Sequence, residues 1–279
     1  MIIDCHTHVG RAGEHVGGAI QEDLLRTWGS ALWDVHLDAH WAAMQGVDRA
    51  IVLAFDAPRI GLVVPNDYVG AYVAQHPEKL IGFASVDPNR PRAPYELERA
   101  IKHLGLRGLK IAPVYQHFDP GSAEAYAVYE AADALKIPVL WHQGTTYVRD
   151  APLIHARPVL LDEIARRFPE LRMWVAHLGH PWCDELLSVI RKHPHMYADM
   201  SALHPRPVQF YFAMVSALEY GVAHKILFGT DYPIATAETT MAGLRGINRV
   251  AEGSNFPRIP DDVIEGIIHR DTLALLGLA

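Results

Sequence analysis

Cysteine is nearly missing from this sequence: Cys5 and Cys183 are the only two in 279 residues, and they form no C-x-x-C pair. A disulfide framework and a thiolate zinc knot are therefore excluded. Long apolar runs are missing too. No stretch approaches the roughly 18 residues that cross a bilayer, and no basic region followed by an apolar segment opens the chain, so a cytoplasmic location without membrane contact is expected. Positive charge is in deficit, with 25 Lys and Arg against 32 Asp and Glu and a formal net charge of −7. This argues against a nucleic-acid partner and for a small-molecule substrate. No glycine-rich phosphate fingerprint follows any strand-like run, and neither a solenoid repeat nor a low-complexity tract is present.

What is present suits one large globular unit over residues 1–279, since half the residues are hydrophobic and a fifth are charged. Eight short apolar, β-rich runs follow one another: "MIIDCH", "RAIVLAF", "KLIGFASV", "RGLKIA", "IPVLWH", "RMWVAHL", "HMYADMS" and "KILFGTD". Several are almost continuously hydrophobic, as strands buried on both faces of a parallel sheet are. Helical spacing lies between them, in Leu97, Ile101 and Leu104, and again in Leu161, Ile164, Ala165 and Phe168. A third helix opens on Ser122 as N-cap. Alternation of this kind predicts an α/β (β/α)8 TIM barrel, with an open doubly wound sheet as the alternative. About forty residues separate the first two runs, including Trp28, Trp33 and Trp41, so an extended loop or helical insertion after strand 1 is expected, folded over the mouth or packed beside it. The tail from Ile259 reads as helix closing the barrel.

Ionisable residues gather at the ends of these runs. Asp4, His6 and His8 alternate along the first strand and project to one face if it is regular, leaving Cys5 packed behind the barrel. His142 ends the fifth run, His177 the sixth and Asp231 the eighth. In a barrel all these ends surround one point, the place of the active site in this architecture. Imidazole and carboxylate donors suit one divalent ion, zinc first and manganese as alternative, acting on water or on a carbonyl or carboxylate oxygen.

The motifs "DCHTH", "RGLKIAP", "VLWHQG", "VAHLGHPW", "YADMS" and "LFGTDYP", in this order over nearly the whole chain, resemble those of the amidohydrolase superfamily, in its amidohydrolase-related branch of hydrolases and decarboxylases. The resemblance implies a (β/α)8 barrel in which His6, His8, His142 and Asp231 hold the metal. Asp231 also handles a proton, and His177 contacts water or substrate. It implies a supporting role for Asp4, and support of His177 or Asp231 by Asp199 and Ser201. Lys110 is a substrate-carboxylate contact, a charge partner inside the barrel or, if carboxylated, a bridge to a second ion. His180, His117, His204 and Arg206 are candidate substrate contacts. Members often carry Asn-Ala in the terminal helix where this chain has Asp271 and Thr272. The implied activity is metal-dependent hydrolysis, with non-oxidative decarboxylation of an aromatic or related acid as the alternative; some relatives open lactones without metal. A homodimer is implied as well. A non-catalytic metal-binding barrel and a TatD-like phosphoesterase are the readings from other classes.

Overall fold

The computed structural model describes residues 1–29 and 33–279. Eight parallel strands follow in sequence order: β1 (Ile3–His8), β2 (Arg49–Leu53), β3 (Leu80–Ser85), β4 (Leu109–Ile111), β5 (Val139–Trp141), β6 (Met173–Val175), β7 (Met196–Asp199) and β8 (Ile226–Leu227). All eight runs expected from the sequence are barrel strands. The ring closes between β8 and β1, where the Cys5 N–H donates to the Phe228 carbonyl at 3.1 Å and the Asp231 N–H to the His6 carbonyl at 2.8 Å. This is a (β/α)8 TIM barrel, with helices such as Ala93–Leu104, Ala123–Ala134 and Leu161–Arg167 between strands. Ser122 caps the second of these, accepting the Ala125 N–H at 3.2 Å.

Strand periodicity divides the apolar residues between two clusters. Ile3, Ile51, Leu53, Ile81, Phe83, Leu140, Trp174 and Leu227 fill the barrel interior, where Leu273, Leu276 and Leu278 of the tail join them. Alternate residues, among them Ala50, Val52, Leu109, Ile111, Met173 and Val175, pack outward on the helices. The tail is two helices, Asp261–Ile268 and Thr272–Leu276, because Asp271 starts the second by accepting the Ala274 N–H at 3.1 Å.

Cys5 departs from expectation. The β1–β2 register shifts between Asp4 and Thr7, and this bulge turns successive side chains to the same side. Cys5 therefore joins the interior cluster instead of packing behind the barrel. A Cβ on Gly229 would stand 3.2 Å from His6 Cβ and 3.3 Å from Cys5 Sγ, so the chain passes closely beneath the site there. The Asp4 carboxylate fills the gap in the ladder, accepting the His6 N–H (3.2 Å), the Thr230 N–H (3.0 Å) and the Thr230 hydroxyl (2.7 Å). Burial pushes its carboxyl up to about 7, although the Thr230 hydroxyl and both N–H groups work the other way.

The insertion after β1 contains two helices, α1 (Gly18–Trp28) and α2 (Leu37–Ala43). It sends Trp28 and Trp33 to the mouth, whereas Trp41 stacks on His76 with centroids 3.7 Å apart. A short hairpin, Phe55–Ala57 paired with Leu62–Val64, follows β2 and was not legible as a separate element. Among the described residues no helix is long and apolar enough to cross a membrane.

Candidate metal centre and cavity

Three donor atoms from opposite ends of the sequence converge at the C-terminal mouth. His6 Nε2 lies 3.2 Å from His8 Nε2, and Asp231 Oδ1 lies 3.3 Å from the first and 3.2 Å from the second. Donors sharing a four-coordinate ion with bonds of about 2.0–2.1 Å stand about 3.3 Å apart, so the triangle has the edge length of a tetrahedral metal face. The tautomers agree. His6 Nδ1 sits 3.0 Å from Asp199 Oδ2, an acceptor only, so Nδ1 carries the proton and the neutral ring turns its Nε2 lone pair to the triangle. Burial, with Lys110 assisting, pushes His6 down to about 4, and burial also lowers His8 and His142, which keeps the imidazoles neutral and able to ligate. The residues thus fit a divalent cation.

Backbone strain at the strand ends aims two of these groups. Asp231 adopts φ 60° and His177 φ 55°, left-handed conformations that cost a non-glycine residue roughly 1–2 kcal/mol. The Asp231 N–H bond to His6 offsets this on one side. On the other, the His177 N–H donates to Asp199 Oδ1 at 3.0 Å. Asp199 Oδ1 also accepts the Ser201 N–H (3.1 Å) and hydroxyl (2.5 Å), so one fully buried carboxylate orients both His6 and His177. Burial would raise this carboxyl, and the adjoining His6 and His177 hold it well below its ordinary value instead.

His177 Nδ1 is 3.0 Å from the Ser201 carbonyl and 2.8 Å from its hydroxyl. Only a protonated Nδ1 can pair with that carbonyl, so in the neutral ring Nε2 is a lone pair, and it faces Asp231 Oδ2 at 3.9 Å. His142 behaves differently from the triangle residues. Its Nε2 donates to the Thr145 carbonyl at 3.0 Å, which leaves Nδ1 as its lone pair. His142 lines the same cavity, with its ring centroid 5.3 Å from that of His177, yet its nitrogens fall outside the tight cluster of His6, His8 and Asp231.

A cavity of about 290 Å³ opens over these groups. Lys110 lines it, is 1% exposed and forms no ion pair among the described residues; its Nζ lies 5.9 Å from the Phe55 ring centroid. Burial lowers its ammonium to about 8 against the pull of Asp231 and Asp199. His180 and Arg206 line the same cavity. Burial, then Arg206 and His177, push His180 down to about 4. Arg206 donates to the Ala202 carbonyl at 2.9 Å and lies 5.3 Å over the Trp28 ring. Asp4 and Ser201 stay outside the lining and act through their neighbours, and His117 and His204 do not reach it either. Sequence reasoning missed the walls, Phe55, Tyr115, Tyr147 and Thr27; for Phe55 and Tyr115 the signal was an aromatic residue just past a strand end.

Residues 3–278 match the family described as amidohydrolase. Among solved structures, a TIM-barrel protein of Bordetella bronchiseptica superposes with TM-score 0.74 at 22% identity, over 99% of this chain and 98% of that one. An amidohydrolase from Burkholderia multivorans with bound zinc gives TM-score 0.72 at 14% identity, with both chains fully covered. A dihydroxybenzoic acid decarboxylase from Polaromonas with bound manganese and 2-nitroresorcinol gives 0.67 at 17% identity, over 99% and 97% of the two chains. At such identities the superpositions establish the shared fold.

Proposed function

The chain belongs to the amidohydrolase family, a family of metal-dependent hydrolases and carboxy-lyases, and from that premise we propose that it is a cytoplasmic, zinc-dependent hydrolase of a small carboxylated carbonyl compound. Membership in a family of enzymes sets the non-catalytic barrel aside. His6, His8, Asp231 and His142 through Nδ1 would hold one ion; zinc suits this donor set, with manganese the alternative. When bound, the ion supplies Lewis acidity toward a carbonyl or carboxylate oxygen and toward water.

The observation that carries hydrolysis is the 3.9 Å gap between His177 Nε2 and Asp231 Oδ2 at the mouth. With Nδ1 of His177 turned to the Ser201 carbonyl, a neutral ring presents its Nε2 lone pair to that gap, where a water can donate to both atoms. Asp231 Oδ2 takes the proton of the attacking water and returns it to the leaving group, as a general base and then acid. His177, held in its tautomer by Ser201, accepts a hydrogen bond and orients that water. Lys110 receives a substrate carboxylate, since a buried ammonium without an ion pair among the described residues is stabilised by an incoming anion. Trp33, Phe55 and Tyr115 favour a flat substrate body. That aromatic lining also supports the second reading, decarboxylation of a hydroxylated aromatic acid, in which Asp231 would donate a proton to the ring carbon.

A panel of carboxylated lactones, cyclic amides and hydroxybenzoates, offered to the zinc- and manganese-loaded protein, separates the two. Hydrolysis of a lactone or amide that Asp231→Asn abolishes in a folded protein is the expected result. Release of CO2 from a hydroxybenzoate with no hydrolysis anywhere in the panel would replace the first reading by the second. A second copy of the chain is the partner proposed, and a monomer by analytical ultracentrifugation would remove it.

A further inference from the structure

α1 buries Ile20 and Leu24 and, between them, the carboxylate residue Asp23, only 4% exposed. A buried carboxylate is costly unless paired. Asp23 finds its partners largely outside its own helix, in the loop that follows β5. The Arg149 backbone N–H donates to Oδ2 at 3.0 Å and Arg149 Nε to Oδ1 at 2.6 Å. Arg26 Nη2 adds a bond to Oδ1 at 3.2 Å and reaches on to the Tyr147 carbonyl at 3.0 Å. Two residues earlier in that loop stands the Thr145 carbonyl that takes the Nε2 proton of His142. The Thr145 N–H is itself anchored on the His180 carbonyl at 2.8 Å, and the Val148 N–H on the Thr146 hydroxyl at 3.0 Å. One continuous path of hydrogen bonds and short backbone thus runs from the covering helix to a histidine of the cavity.

We propose that Asp23 is a positioning residue for the metal centre. By clasping Arg149, and Tyr147 through Arg26, it fixes residues 145–149 so that Thr145 holds the His142 tautomer and Nδ1 is the nitrogen offered to a metal. The same clasp ties down the C-terminal turn of α1, and with it Thr27 and Trp28 in the cavity wall. The assignment rests on the reading of His142 as a ligand. It gives the strand-1 insertion a task beyond covering the mouth, because loss of a contact remote from the ion is felt as loss of ion affinity.

The test uses the full chain and Zn2+ alone. Wild type, Asp23→Ala, Arg149→Ala and the double variant are compared by competition with a chromogenic chelator, by hydrogen exchange over residues 143–150 and by thermal unfolding. Asp23→Ala is expected to weaken Zn2+ binding about tenfold, at the low end of what loss of a ligand's supporting contact costs. Arg149→Ala should reproduce much of that loss, and the double variant should be no worse than Asp23→Ala, as for residues acting through one contact. Exchange should accelerate over 143–150 and not in the barrel strands. Unchanged Zn2+ affinity in Asp23→Ala, or strictly additive losses in the double variant, would overturn the proposal. Should Asp23→Ala fail to fold, Arg149→Ala, whose side chain is 63% exposed, carries the same comparison alone. A wild-type chain that binds no Zn2+ overturns the functional reading and this inference with it; wild-type binding matched by the variants overturns this inference only.

Discussion

Replacing Asp199 by Asn changes one atom of a buried carboxylate and should disable the metal site from its far side. Oδ1 accepts the His177 N–H at 3.0 Å and the Ser201 N–H and hydroxyl at 3.1 and 2.5 Å, and an amide oxygen can keep all three. Oδ2 becomes an NH2 group facing His6 Nδ1 at 3.0 Å, donor against donor. His6 escapes the clash by moving its proton to Nε2, the atom 3.2 Å from His8 Nε2 and 3.3 Å from Asp231 Oδ1. A protonated Nε2 offers no lone pair. Loss of such a supporting contact costs about 10–100-fold in metal affinity, or about 1.4–2.7 kcal/mol. Zn2+ affinity by chelator competition measures this, and 15N shifts of the His6 ring in the metal-free protein report the tautomer. An affinity within threefold of wild type, with Nε2 of His6 still unprotonated, would refute the reasoning.

The metal-free protein should lose stability as pH falls below about 6.5. Burial depresses His40 to about 3 and His6 and His180 to about 4. Their contributions are complete above the ordinary histidine value and are lost as pH falls through the folded values, because the unfolded chain takes up protons the fold refuses. Asp4, raised to about 7, acts oppositely, with its contribution present below about 4 and lost as pH rises toward 7; three histidines outweigh one carboxyl. Midpoints of thermal unfolding between pH 7.5 and 5 check the sign, and a rise on acidification would contradict it. Lys110→Met should raise KM for a carboxylated substrate by about 10–100-fold, the worth of a hydrogen bond to a charged group, without lowering thermal stability. Lower stability with unchanged KM would make Lys110 structural. Gly108→Ala would set a methyl 2.2 Å from the Phe83 ring inside the barrel and should cost about 1–3 kcal/mol in urea unfolding; a neutral result would mean that the ring has room to move.

Strands were legible because a strand buried on both faces must be apolar almost throughout, and the order of the end residues His6, His8, His142, His177 and Asp231 then brought them to one mouth. The bulge in β1 was not legible. It depends on the Asp4 carboxylate reaching Thr230, 226 residues away, and no local pattern records such a pairing. For that reason Cys5 was expected on the wrong side of the strand. The joint hold of Asp199 on His6 and His177 was hidden in the same way, although the sequence had marked Asp199 and Ser201 as supports. Asp23 gave no signal at all, since an acidic residue in an amphipathic helix ordinarily faces water, and only the fold brings Arg149 to it.

The central claim is that His6, His8 and Asp231 form the heart of a site for one divalent ion. Its most direct measurement is the metal content of the protein purified without chelator, compared with the His6→Ala/His8→Ala double variant purified alongside. One equivalent of zinc or manganese in the wild type and less than a tenth in the folded variant is the predicted result. Equal metal in both proteins, or none in an active wild type, would contradict it.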